Sequence, residues 1–154
     1  MPMKKADLKR ATRERIIDQY EANDCSVDEK KAGVTYYAVS VAGSNQRIAA
    51  IYGSLGGGAS IWVKEAAFQS IKDKLNPNVT KVEDVDLFKR GFQWAIHFDS
   101  PTDPIIDIVV NATIDIGRAR WQKTLARREA DKRRAEKRAI KDAEMAQRKR
   151  DPWS

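Results

Sequence analysis

The sequence predicts an α+β fold: a small antiparallel sheet with flanking helices and a long charged C-terminal helix. Three observations carry this expectation. β-branched and aromatic runs separated by short turns occupy Val34 to Ala42, Gln46 to Ser54 and Ala59 to Val63. Apolar residues recur at helical spacing on both sides of that region. From Arg118 to Arg150 there is no Pro or Gly, and the good helix formers Ala and Arg dominate.

The elements follow in order. ADLKRATRERIIDQYEA is expected to be an amphipathic surface helix, because Leu8, Ala11, Ile16, Ile17 and Tyr20 recur at helical spacing among charged residues. Asn23 to Gly33, NDCSVDEKKAG, is charged and poor in apolar residues, and reads as a connection. The runs Val34 to Ala42 and Gln46 to Ser54 flank GSN, whose residues tolerate positive φ, so they should pair as an antiparallel hairpin with Ala59 to Val63 as a third strand. The intervening GSLGGG has the glycine density of an anion-cradling loop. It lacks the Walker spacing with Lys-Ser/Thr, and a strand follows rather than a helix, so a flexible hairpin loop is expected.

Lys64 to Leu75 should form a short helix with Ala67, Phe68, Ile71 and Leu75 on one face, stopped by Pro77. VTKVEDVDLFKR is the least patterned stretch and is compatible with a strand followed by a turn. Gly91 to Asp99 alternates Phe92, Trp94, Ile96 and Phe98 against Gln93, Ala95 and His97, the pattern of a strand with one apolar face.

Ser100 to Gly117 carries two patterns. As a strand it presents apolar residues at every even position from Ile106 to Ile116. As a helix it sets Asp107, Asn111, Asp115, Arg118 and Gln122 in a polar stripe, with Ser100 as cap, Pro101 at the first helical position and Asp103 as the reciprocal partner. A strand of that length is unusual, which favours a helix running from near Pro101 into the tail with a kink at Gly117. The expected organisation is a compact α+β domain over 1–117, an extended basic helix over 118–150 and a short tail over 151–154.

Composition narrows the function classes. The single cysteine, Cys25, excludes an internal disulfide and is expected as a small, partly buried residue at a helix end, favouring a reducing compartment. MPMKKADLKRATRER lacks the apolar stretch of a secretory leader, and no window approaches the roughly 18 apolar residues of a membrane span. A cytoplasmic protein without a membrane partner is expected.

The net charge of +7 is unevenly distributed. Arg118 to Arg150 holds 14 basic against 5 acidic residues, Met1 to Asp24 holds 6 against 5, and Cys25 to Gly117 holds 9 against 11. Within the tail, Glu129 with Arg133, Arg127 with Asp131, Arg138 with Asp142 and Glu144 with Arg148 stand at helical spacing, each pair contributing about 0.2 to 0.5 kcal/mol. Trp121 and Leu125 form an apolar anchor; beyond them the apolar residues keep no heptad seam, which argues against a coiled coil.

These features point to a non-enzymatic binding protein whose basic helix contacts nucleic-acid backbone without strong sequence preference. The contacts expected are Arg118, Arg120, Lys123, Arg127, Arg128, Lys132, Arg133, Arg134, Lys137, Arg138 and Lys141. The tail lacks the Asn and Gln that read adenine edges, and DNA is not separated from RNA. The alternative is a protein-interaction module, a regulator or inhibitor meeting an acidic or other protein surface through its aromatic sheet or long helix, with an oligomer compatible with that role. Tyr36, Tyr52, Trp62 and Trp153 are its expected partner-binding residues. His97, Asp99, Asp103 and Asp107 lie near one another in sequence, but His97 is the only histidine and Asp103 has a role as helix cap. No catalytic residue, metal or cofactor is expected.

Overall fold

The computed structural model describes residues 4–54 and 58–150. Its elements run α1 (Lys5–Glu21), β1 (Cys25–Ala32), β2 (Val34–Val41), β3 (Arg47–Gly53), β4 (Ala59–Val63), α2 (Glu65–Ile71), β5 (Val82–Asp84), β6 (Trp94–Phe98) and α3 (Ile105–Arg150). Short 3-10 turns follow α2 at Lys72–Lys74 and β5 at Asp86–Phe88. The fold is α+β, with one six-stranded sheet in the order β1-β2-β3-β4-β6-β5, every neighbour antiparallel. The chain divides into two compact units, Met1–Ala119 and Arg120–Ser154.

The expected hairpin forms, with Gly43 at φ 82° in its turn. The expected third strand is β4; of the alternating segment Gly91 to Asp99, Trp94–Phe98 forms β6, while Phe92 precedes the strand and packs in a different cluster from Trp94, Ile96 and Phe98. The sheet is larger than expected because Cys25–Ala32 is a strand rather than a connection: β1 pairs with β2 along its whole length, with Gly33 at φ 85° between them. An edge strand meets the core only at its first inward positions, here buried Cys25 and half-buried Val27. Asp28, Glu29, Lys30 and Lys31 remain exposed, a charged edge that resists unwanted strand pairing. Cys25 therefore opens a strand instead of closing a helix. Burial pushes its thiol pKa up, partly offset by the nearby Arg118 guanidinium.

The sheet has two unlike faces. Ile16 and Tyr20 of α1, Ala67 and Ile71 of α2, and Ile106, Val109, Val110 and Ile114 of α3 bury one face against Val39, Ile51, Ile61, Val63, Ile96 and Phe98. A second cluster on the other face contains Ala50, Tyr52, Trp62, Val85, Phe92 and Ala95, with Tyr36 packed against it and no residue from any helix. Arg15 Nη2 donates to Asp107 Oδ1 at 2.7 Å, tying α1 to α3.

α3 starts later than the sequence motif suggested. Asp103 Oδ1 accepts the backbone N–H of Ile105 at 2.9 Å and Pro104 stands between them, so Asp103 is the cap and Pro104 takes the first helical position. Ser100 instead closes a local turn by accepting the N–H of Thr102. The helix then runs unbroken through Gly117. A Cβ there would lie 2.3 Å from Ile48 Cγ2, so the glycine serves close approach of helix to sheet rather than a kink. Gly58 is similarly constrained: a Cβ would fall 1.6 Å from the backbone carbonyl oxygen of Phe98. Of the glycine-rich loop, Leu55 to Gly57 lies outside the described residues.

Candidate functional site

Two features present chemistry at the surface, one on each unit. The first is α3 beyond Ala119. At about 100° per residue, Arg120, Lys123, Arg127, Arg134, Lys137, Arg138, Lys141, Arg148 and Lys149 fall within an arc of about 120°. Nine of the fourteen cations between Arg118 and Arg150 thus share one stripe, about 44 Å long, and only Asp131 intrudes at its border. Seven of the eleven expected contact residues belong to this stripe. Arg148 and Lys149 were missed because charge density alone does not reveal angular position.

Three of the five cations off the stripe have partners within the chain. Arg118 Nη2 donates to the Asn23 carbonyl at 2.6 Å, the Arg128 guanidinium lies 5.2 Å from the Trp121 ring centroid, and Arg133 pairs with Glu129 at 3.4 Å. On the stripe, only Arg134 has an ion pair among the described residues, a long one of 3.8 Å to Asp131. Asp131 therefore meets Arg134 and not Arg127, and the pairs expected at Arg138 with Asp142 and Glu144 with Arg148 do not form among the described residues. Leu125, expected as an anchor beside Trp121, is 40 % exposed.

The second feature is the helix-free face of the sheet. Tyr36 of β2, Tyr52 of β3 and Trp62 of β4 sit on adjacent strands at outward-facing positions and stack on one another. Ring centroids are 5.0 Å apart for Tyr36 and Tyr52 and 4.1 Å for Tyr52 and Trp62, and Phe88 continues the row at 5.8 Å from Trp62. Because the rings stack side by side, their faces are largely taken by each other; Tyr52 and Trp62 are only 8 % and 9 % exposed. Trp153, the fourth expected partner-binding residue, lies outside the described residues.

Two arginines cap this row. Arg47 Nη1 donates to Tyr36 Oη at 3.3 Å with its guanidinium 5.8 Å from that ring, while Arg90 Nη1 donates to Tyr52 Oη at 3.2 Å and lies over both Tyr52 and Trp62. Each owes its direction to a local irregularity. The register between β2 and β3 shifts after Val39, which pairs with Ala49 while Ser40 pairs with Arg47. The extra residue, Ile48, turns inward, and the parity of the strand is reset so that Arg47 emerges beside Tyr36. Arg90 sits between Lys89 at φ 55° and Gly91 at φ 87°, a left-handed pair that folds the segment before β6 back over the sheet.

His97 does not gather Asp99 and Asp103. Its Nε2 lies 3.0 Å from Glu83 Oε1 and its Nδ1 lies 2.9 Å from Ser54 Oγ, so the ring joins β5 and β6 to the end of β3. With an ionised carboxylate at Nε2, that nitrogen donates, and in the neutral ring Nδ1 accepts the serine proton. Among the described residues no three metal-binding side chains converge, and no helix is long and apolar enough to cross a membrane. Comparison of the chain with protein-family models, with curated proteins and with solved structures finds no match in any of the three.

Proposed function

We propose that the protein binds nucleic-acid backbone through the cationic stripe of α3, without strong sequence preference. The observation that supports this most directly is the stripe itself: nine cations on one helical face, eight of them without an internal ion pair among the described residues. A charge surplus spread evenly around a helix would serve solvation equally well. Concentration on one face instead matches a linear array of phosphates, and counterion release supplies the free energy. The off-stripe cations Arg118, Arg128 and Arg133 already have internal partners.

Charge placement can be tested apart from charge number. One variant replaces Arg127, Arg134, Arg138 and Lys141 with Gln; a control replaces Arg128, Lys132, Arg133 and Arg150. With about six phosphate contacts the wild type should lose roughly a thousandfold in affinity for a labelled duplex between 50 and 200 mM salt. The stripe variant should lower the log–log salt slope by about 3 to 4, and the control by less than about 1. Equal effects from both variants would refute the stripe.

A second reading, docking to a protein, is favoured by Leu87 and Phe88, 70 % and 49 % exposed at the tip of the 3-10 turn beside Trp62. It requires a stoichiometric protein complex that survives moderate salt and nuclease treatment.

A further inference from the structure

The helix-free face of the sheet holds a cleft of about 370 Å³ lined by Tyr36, Arg47, Tyr52, Lys89, Arg90 and Phe92. Three cations line it and no carboxylate does. Neither Arg47 nor Arg90 forms an ion pair among the described residues; each is instead clamped by one phenol hydroxyl and at least one ring. A guanidinium has five N–H donors in a rigid fork, and a single bond to a phenol leaves most of them unspent. Clamping on a ring also removes the rotamer freedom that binding would otherwise have to freeze. The two forks are thus preorganised donors facing a space without an internal anion.

We infer that this cleft binds a nucleotide, its phosphate held by Arg47, Lys89 and Arg90, whether the nucleotide is free or part of a single strand. The phosphate follows from the fork geometry and the absence of acid. The planar ring follows from the surroundings: guanidinium planes and the half-buried Tyr36 ring offer flat polarisable surface, on which unpaired bases stack. The volume lies in the range of small-ligand sites. Two independent backbone irregularities converge here, the Ile48 bulge that brings Arg47 out and the left-handed Lys89 that precedes Arg90. Irregularities of both kinds are enriched at functional sites. This inference does not depend on the helical stripe.

The test is a titration of full-length, isotope-labelled protein with AMP and, separately, with the single strand (dT)10. It follows the side-chain Nε–H signals of Arg47 and Arg90 and the indole N–H of Trp62. Millimolar AMP is expected to move all three. If the source is a strand, (dT)10 should move them at concentrations at least tenfold lower; if it is a free nucleotide, AMP alone should act. Replacing both arginines with Gln should weaken the AMP response at least tenfold, and Lys89→Gln, at an exposed turn, gives the same direction should the double variant fail to fold. The stripe variant should leave the AMP response unchanged. Absence of shifts with both probes overturns the inference, as does an equal response to inorganic phosphate or to poly-aspartate. Shifts confined to α3 with (dT)10, and none with AMP, would refute the cleft and leave the stripe standing; (dT)10 shifts confined to the cleft would support the cleft and count against the stripe as a holder of single strands.

Discussion

Tyr20 is fully buried, and its hydroxyl lies 2.7 Å from Thr113 Oγ1. Thr113 spends its own proton on the Val110 carbonyl at 2.8 Å, so Tyr20 must be the donor between them. Tyr20→Phe should cost about 1 kcal/mol at neutral pH, measured by urea denaturation. The pH dependence adds a sign that simple packing would not. Burial raises the Tyr20 pKa well above its ordinary 10.0, the Thr113 hydrogen bond only partly opposing this. The unfolded chain therefore ionises first: the contribution is intact below about pH 10 and is lost as pH rises from there. At about 1.4 kcal/mol per pH unit, the wild-type advantage over Tyr20→Phe should vanish near pH 11. An advantage that persists unchanged would contradict the assignment.

Among the elements, α3 changes character along its length. Ile106, Val109, Val110 and Ile114 are buried, whereas every described position from Asp131 onward is exposed. Hydrogen exchange should follow that division, with amides beyond Ala130 at least about a hundredfold less protected than those from Val109 to Ile116. Uniform protection along the helix would require something to cover its distal part. The helix over Asp107 to Gln122 was readable in the sequence because the segment is too long for an ordinary strand and because its polar stripe continues through Arg118 and Gln122, where strict alternation breaks. Its start was misplaced because Ser100-Pro101 and Asp103-Pro104 both offer a cap followed by proline, and only packing decides between them. β1 was hidden for another reason. Its inward side contributes just Cys25 and Val27 to the core, and four consecutive charges mask an alternation that short.

For the molecule as a whole, the two faces of the sheet should differ in what they contribute to stability. Ile61→Ala on the helix-covered face removes a fully buried side chain and should cost about 2 to 5 kcal/mol. Tyr36→Ala, at the half-buried end of the aromatic row, should cost about 1 kcal/mol. Denaturant midpoints would measure both, and equal losses would mean that the outer row is as much a core as the inner one. The uneven division of charge was visible in the sequence, since it needs only counting. The stripe needed a continuous helix to give each cation its angle, and the arginine-capped row needed a bulge and a left-handed turn that no periodicity announces. The stacked row has one further use. Trp62 lies within it, Trp94 lies against Phe68 on the helix-covered side, and Trp121 lies under Arg128 on α3. Among the described residues the chain thus carries three intrinsic optical probes in three different environments, and keeping one of these indoles at a time, with Trp153 also replaced, would let each surface signal its own occupancy without a foreign dye.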